Sequence, residues 1–336
     1  MKNQAPHSIT DRFNRSAIEN FDLIQILSEE TGFLSSDIKR IIHSAPKSYK
    51  TYEIPKRTGG KRIISQPARE VKILQRVIIE KVLSHLPIHQ FATAYRPGIS
   101  ILNNALPHKG AGRSILKMDF ENFFPSIKSH DWITYCEELE ILSNEDRALT
   151  ASLFFKSQPP KRGLRLAIGA PSSPILSNIL MYEFDKKIEK EIYGKEIIYT
   201  RYADDLTFSS ERTGYLLDVR SIVRKALMEI KYPKLKINKE KTKYFTSKYR
   251  RSVTGLVLTN QGEVSLGRDK KRSISAGIHN ALNGKLNDEE MKSLSGYLAY
   301  ANSVEPNFLK KMSEKYGDDI MKTLKKFGNP EVNIKI

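Results

Sequence analysis

Two adjacent carboxylates, Asp204 and Asp205, interrupt the run Ile197-Ile198-Tyr199-Thr200-Arg201-Tyr202-Ala203-Asp204-Asp205-Leu206-Thr207-Phe208-Ser209-Ser210. β-Branched and aromatic residues on both sides favour strands, and Ala-Asp-Asp is small and polar enough to turn between them. The run therefore predicts a hairpin with the two acids at its tip. In a semi-apolar setting such neighbours repel each other and lose solvation, which calls for a cationic partner, and a divalent cation is the natural one. Taken alone, Asp-Asp is more often an exposed turn, and the rest of the chain is what changes that reading.

A third acid can join them. Ser114-Ile115-Leu116-Lys117-Met118-Asp119-Phe120 reads as a strand that delivers Asp119 at its end, followed by the aromatic-rich turn Glu121-Asn122-Phe123-Phe124-Pro125 into a short helix. A strand ending in Asp119 and a hairpin tipped by Asp204 and Asp205 can be neighbours in one antiparallel sheet, so that three carboxylates converge at one edge. Such a set suits two Mg²⁺ ions about 3.5 to 4 Å apart, one activating an attacking 3′-hydroxyl and the other supporting a leaving pyrophosphate. Mg²⁺ is held by a few carboxylates with phosphate oxygens and water, so neither histidine nor cysteine is required. Cys136 is the only cysteine, and the seven histidines lack metal-binding spacings. A lone cysteine also excludes an intrachain disulfide and fits a reduced, cytoplasmic setting.

The bulk numbers say what kind of body carries these acids. At 336 residues, 39% hydrophobic and 9% aromatic, the chain is expected to be globular with two or three cooperating subdomains. Its 56 Lys and Arg against 38 Asp and Glu leave a net charge of +18, which points to a polyanionic partner, nucleic acid first. A membrane partner is not expected. No apolar run approaches the ~18 residues of a spanning helix, the first ten residues lack the apolar core of a secretory signal, and the basic face has no apolar anchor.

The elements that must position the acids follow from periodicity. A helical lead-in is expected over residues 1–48, with Ser35-Ser36-Asp37 resembling a helix N-cap. Tyr52-Glu53-Ile54-Pro55 and Lys61-Arg62-Ile63-Ile64-Ser65 look like strands joined through Gly59-Gly60, with Lys56, Arg57, Lys61 and Arg62 gathered at the tip. Residues 68–86 predict an amphipathic helix ending near Pro87, and residues 131–155 a further helical stretch. Gly169-Ala170-Pro171-Ser172-Ser173-Pro174 opens another helix, its small residues permitting close approach of a backbone or a base.

Past the hairpin, residues 215–230 read as a helix. Seven Lys and two Arg face the single acid Glu240 between Lys231 and Arg251, interleaved with Tyr232, Tyr244, Phe245 and Tyr249. That mixture suits a strand lying along a phosphate backbone. Ser252 to Leu258 reads as one strand, paired through Asn260-Gln261-Gly262 with Val264-Ser265-Leu266, and from Arg268 onward the chain is helical and basic.

Tyr-Ala-Asp-Asp in a hairpin, the upstream Asp119-Phe120-Glu121-Asn122-Phe123-Phe124-Pro125 and the Gly169 to Pro174 segment together resemble, in order and spacing, the palm signatures of reverse transcriptases. Asn104-Ala105-Leu106-Pro107-His108 and Val253-Thr254-Gly255 resemble the Asn-Ala-x-x-His and Val-Thr-Gly elements of bacterial retron enzymes. The resemblance covers the chain apart from its ends. It implies an α+β right-hand polymerase fold: a lead-in at 1–48, fingers at 49–112 with part of 126–168, an antiparallel-sheet palm at 113–267 and a helical thumb at 268–336.

Carried onto this sequence, the resemblance implies that Asp119, Asp204 and Asp205 bind the two Mg²⁺ ions, with Phe120 lining the metal and triphosphate site. Phe124 would be the sugar gate that rejects a 2′-hydroxyl, Lys61 and Arg62 would hold the triphosphate, Ala203 would lie under the primer end, and Gly169 and Ala170 would line the nucleotide pocket. RNA contacts are expected at Asn104, His108, Lys241, Lys243, Arg250, Arg251, Val253, Thr254 and Gly255. One departure stands out: many relatives have Gln before Gly-Ala-Pro, and this chain has Ile168.

The implied reaction is synthesis of DNA from dNTPs on a cognate structured non-coding RNA. It would be primed by a guanosine 2′-hydroxyl, give branched RNA–DNA (msDNA) and serve anti-phage defence with an accessory effector protein. No segment resembles a ribonuclease H domain, so template removal would fall to a host ribonuclease H. Alternatives are a reverse transcriptase of the group II intron or diversity-generating kind, or a non-catalytic RNA-binding protein.

Overall fold

The computed structural model describes residues 21–56, 59–160, 163–212 and 214–327. The first part of the expected lead-in, and Arg57 of the hairpin tip, lie outside them. Mixed helix and sheet is what the structure has, with eleven strands among the described residues: β1 (Tyr49–Pro55), β2 (Lys61–Pro67), β3 (Ser114–Asp119), β4 (Lys156–Ser157), β5 (Leu164–Arg165), β6 (Ile198–Tyr202), β7 (Asp205–Ser210), β8 (Lys243–Phe245), β9 (Arg251–Val253), β10 (Leu256–Leu258) and β11 (Val264–Ser265). No described helix is long and apolar enough to cross a membrane. The chain forms two compact units, one from residues 1–98 and 116–244, the other from 99–115 and 245–336.

The first unit is built on a four-stranded sheet in the order β6-β7-β3-β8. β7 is buried at every position after Asp205, and Leu116 and Met118 of β3 are buried as well. Burial of successive residues means that both faces are covered. Helices Ser129–Glu138, Asn144–Phe154, Ser173–Leu180, Tyr182–Ile192 and Val219–Glu229 contribute Trp132, Phe154, Leu176, Phe184 and Val223 to one continuous core. Each such side chain withdrawn from water contributes about 1.5–3 kcal/mol. Helix Arg69–Lys81 buries Val71, Leu74, Gln75 and Ile78, the one-face spacing expected of it. It stops short of the predicted Leu86 and tightens into a 3₁₀ turn at Leu83–His85, as the extended Leu86 before Pro87 requires.

Several sequence expectations are corrected. Residues 131–155 are two helices, because Glu140 and Leu142 adopt left-handed backbone conformations and Ser143 Oγ accepts the Asp146 N–H to start the second. Helix Ser35–Ser44 begins without a side-chain cap. Residues 231–250 hold only the three-residue β8, since 236–238 instead dock on 119–121: Glu121 N–H donates to the Lys236 carbonyl (2.8 Å) and Asn238 N–H to the Asp119 carbonyl (2.7 Å).

The second unit packs the three-stranded sheet β11-β10-β9 with helices Arg268–Leu282, Asp288–Val304, Pro306–Tyr316 and Asp318–Lys326 around Leu256, Ile278, Leu298 and Leu309. The single strand expected over 252–258 is a hairpin. Thr254 (φ 46°) and Gly255 (φ 83°) make its two-residue turn between Val253 and Leu256, both left-handed as a tight hairpin demands.

Candidate active site

β6 and β7 pair antiparallel, with Tyr202 opposite Asp205 as the last register pair, so Ala203 and Asp204 are the turn residues and Asp205 opens β7. Ala203 takes φ 57°, which a two-residue turn requires at its first position. β3 lies beside β7. At its end the Phe120 N–H donates to the Asp204 carbonyl at 3.2 Å, which brings Asp119 alongside the turn.

Burial raises the Asp204 carboxyl above the usual carboxylate range, and the neighbouring Asp119 charge raises it further. Burial also raises Asp205, against the pull of Lys117. Two lysines answer these acids: Lys117 Nζ stands 3.0 Å from Asp205, and Lys241 Nζ stands 2.9 and 3.1 Å from the two Asp119 oxygens. Among the described residues, no three His, Cys, Asp or Glu side chains form a ready-made cation cage. The donor chemistry fits hard cations all the same. The set is oxygen only, it carries mutual repulsion, and its acids already pair with two ammonium groups.

The Phe120 ring turns into the core, stacked on Phe123 (centroids 5.7 Å, 15° apart) and edge-on to Phe184, leaving its backbone at the acids. Phe124 is half-buried and lines a cavity of ≈ 420 Å³ with Lys72, Arg76, Tyr95, Gly169 and Ala170. Gly169 (φ 112°) sits under β2: Ser65 N–H donates to the Ile168 carbonyl at 2.7 Å, and a Cβ on Gly169 would lie 3.1 Å from the Ser65 oxygen. Lys61 is exposed and paired with Glu53 at 2.7 Å, while the Arg62 charge reaches Tyr95.

Beneath the turn lies a polar knot that sequence reasoning missed. Arg201 Nε and Nη2 grip Asp185 (3.0 and 2.6 Å), Tyr199 O–H donates to Asp185 Oδ1 (2.8 Å), and both partners of the ion pair are fully buried. Arg201 Nη1 donates to Asn178 Oδ1 (3.1 Å) and to the Ala203 carbonyl (3.2 Å), which fixes the turn from below. A charged helix residue such as Asp185 reads as solvated until a partner strand is placed over it. Lys117, Lys72 and Arg76 were also unremarked, lying in patterns that read as strand and helix surface.

The residues expected to touch RNA divide into two groups. Lys241, Lys243, Arg250 and Gly255 are exposed, with Arg250 paired to Asp269 at 2.8 Å. Asn104, His108, Arg251 and Val253 are buried and hold the second unit together. Burial pushes the His108 imidazole down to about 3, so it stays neutral. Arg251 spends its guanidinium on the Arg113 (2.7 Å) and Thr259 (2.8 Å) carbonyls. Asn104 Nδ2 approaches Thr254 Oγ1 at 3.5 Å, which in turn donates to the Ile101 carbonyl, so the two short motifs brace each other. These four buried side chains brace the second unit from within.

A family model described as reverse transcriptase (RNA-dependent DNA polymerase) matches residues 54–275. The chain is 38% identical over 295 residues to the Retron Ec83 reverse transcriptase of Escherichia coli, covering 87% of this chain and 94% of that protein. It is 32% identical over 300 residues to the Retron Ec86 reverse transcriptase of the same organism, covering 87% and 89%. Among solved structures, telomerase from Candida albicans with a fragment of telomeric RNA aligns with TM-score 0.46 and 15% identity over 85% of this chain and 61% of that one, too distant to carry weight. On the two retron matches and the family model, the chain belongs to the reverse transcriptases, among the retron enzymes, and is an RNA-directed DNA polymerase.

Proposed function

We propose that the chain copies part of a structured non-coding RNA into DNA at the Asp119, Asp204 and Asp205 site, using Mg²⁺ and dNTPs, in a bacterial cytoplasm. Synthesis would start from a guanosine 2′-hydroxyl and leave a branched RNA–DNA molecule, within an anti-phage system that includes an accessory effector and relies on a host ribonuclease H. The observation that supports the reading is the meeting of β3 with the β6–β7 turn, where the Phe120 N–H donates to the Asp204 carbonyl and Lys117 and Lys241 pair with Asp205 and Asp119.

Bound there, divalent cations would supply Lewis-acid activation of the primer hydroxyl and neutralise the departing pyrophosphate. The chain's own residues do the rest. Asp119, Asp204 and Asp205, with the Phe120 backbone, are the residues that would hold the ions, in place of the pairs with Lys241 and Lys117. Ala203 supports the primer end, Lys61 and Arg62 meet the triphosphate, and the Phe124 ring occupies the space a ribose 2′-hydroxyl needs. Gly169 and Ala170 admit the base because neither carries a bulky side chain. In this reading 49–112 serve as fingers with part of 126–168, 113–267 as palm and 268–336 as thumb. Exposed Lys243, Arg250, Tyr244 and Tyr249 are the part of the basic stretch available to RNA.

The test is to purify the protein with its locus expressed and to sequence the nucleic acid that comes with it. A small DNA joined to RNA through a 2′,5′ linkage, extended further only without chelator, is the expected result. Unbranched cDNA would point to another reverse transcriptase class. RNA with no DNA would overturn the reading.

Gly169 offers a narrower check. Alanine there meets both a left-handed backbone and the Ser65 carbonyl, so Gly169→Ala is expected to cost about 1–3 kcal/mol of stability and to raise the KM for dNTP. Thermal melting and steady-state incorporation would read both.

A further inference from the structure

We infer that the Tyr95 ring forms a second wall of the deoxyribose pocket, setting the position of Phe124 and with it the discrimination against ribonucleotides. The inference rests on the reading of Phe124 as the sugar gate. Tyr95 adopts φ 60°, a left-handed conformation that strains a non-glycine residue and is rare for a bulky one. Glycine would take that conformation without strain, so the strain is tolerated for the sake of the side chain. The ring is not there to fill the core: it is 44% exposed and stands outside the apolar cluster of its unit. It lines the ≈ 420 Å³ cavity instead, with its centroid 6.3 Å from that of Phe124 and the two planes tilted by 48°.

A strained residue persists only where its surroundings over-determine it, and here they do. Asn178 Nδ2 donates to the Ala94 carbonyl (2.8 Å), Thr93 N–H donates to the Arg201 carbonyl (2.9 Å), and Arg201 N–H donates to the Phe91 carbonyl (2.7 Å). The same Arg201 and Asn178 hold the turn below Asp204. One buried knot therefore fixes both the catalytic turn and the segment that delivers Tyr95, so the ring keeps a set distance from the acids. Burial and the nearby Asp204 charge raise the Tyr95 phenol, in keeping with a place in the cavity wall near the acids.

The experiment compares single-nucleotide incorporation of dNTP and rNTP by wild type, Tyr95→Gly, Tyr95→Phe and Phe124→Val, with melting temperatures alongside. Tyr95→Gly relieves the φ 60° strain, which offsets the added freedom glycine gives the unfolded chain, so its melting temperature is expected to stay within a few degrees of wild type. Its ratio of kcat/KM for dNTP over rNTP is expected to fall by about tenfold, within the range one pocket contact commands, chiefly through a lower KM for rNTP. Tyr95→Phe is expected to keep the ratio, since the ring makes the wall. A wild-type ratio in Tyr95→Gly, with the ratio lost in Phe124→Val, would overturn the role of Tyr95 and leave the gate standing. An unchanged ratio in Phe124→Val would overturn the gate and this inference with it. Loss of the ratio in Tyr95→Phe would assign the effect to the hydroxyl and overturn the wall.

Discussion

Asp204→Asn is expected to cut deoxynucleotide incorporation by about a thousandfold or more while leaving the fold as stable as before, or slightly more so. The two effects have opposite signs for one reason. Asp204 is held above the usual carboxylate range first by burial and then by Asp119, so its charge is a liability to the folded protein until a cation arrives. An amide keeps the shape and removes the repulsion, but it offers a divalent ion one neutral oxygen in place of an anionic one. Primer extension on an RNA template, beside a thermal melt of the same preparation, reads both. Near-normal extension by the variant would remove Asp204 from the metal site, whereas a much lower melting point would recast the acid as structural.

Asp185→Asn is expected to behave in the contrary way, with stability as its main casualty. Arg201 and Asp185 are both fully buried and joined by three hydrogen bonds, and neutralising one partner strands the other charge, which costs about 3–5 kcal/mol. Because Arg201 Nη1 also holds the Ala203 carbonyl, incorporation measured well below the melting point should fall as well, though no atom of Asp185 touches the acids' side chains. Arg201→Lys should not substitute, because an ammonium group cannot span both carboxylate oxygens and Ala203 together. Chemical denaturation paired with low-temperature kinetics separates the two contributions. A denaturation midpoint matching wild type would show that the knot is not what keeps the turn in place.

The contrast between these two acids also marks how far the sequence could be read. Asp204 and Asp205 were legible because β-formers flank a small polar turn on both sides, and Asp119 because its strand ends where apolar residues give way to aromatics. The hairpin of β1 and β2 was legible for the same reason, with Gly59-Gly60 marking the turn. Asp185 was not legible, since an acid on an amphipathic helix is ordinarily solvated and nothing local announces that Arg201 lies over it. The turn at Thr254 was missed because threonine seldom takes a left-handed backbone, so Val253 to Leu256 read as continuous strand. Lys241 was expected to meet RNA because it sits in a basic run. Its actual neighbour, Asp119, is set by the docking of residues 236–238 on 119–121, a contact across more than a hundred residues that no window of sequence contains.

The second unit is assembled from two stretches of chain, 99–115 and everything after 244. During translation the first stretch leaves the ribosome long before the second exists. The Gly110 and Arg113 carbonyls that Arg251 later binds must meanwhile be satisfied by water. Closing that gap of well over a hundred residues is a late, entropically unfavourable event. A nascent chain halted before Arg251 would therefore hold the stretch that forms β6 and β7 but not the partners of the Gly110 and Arg113 carbonyls, so the second unit closes only after residue 251 has emerged.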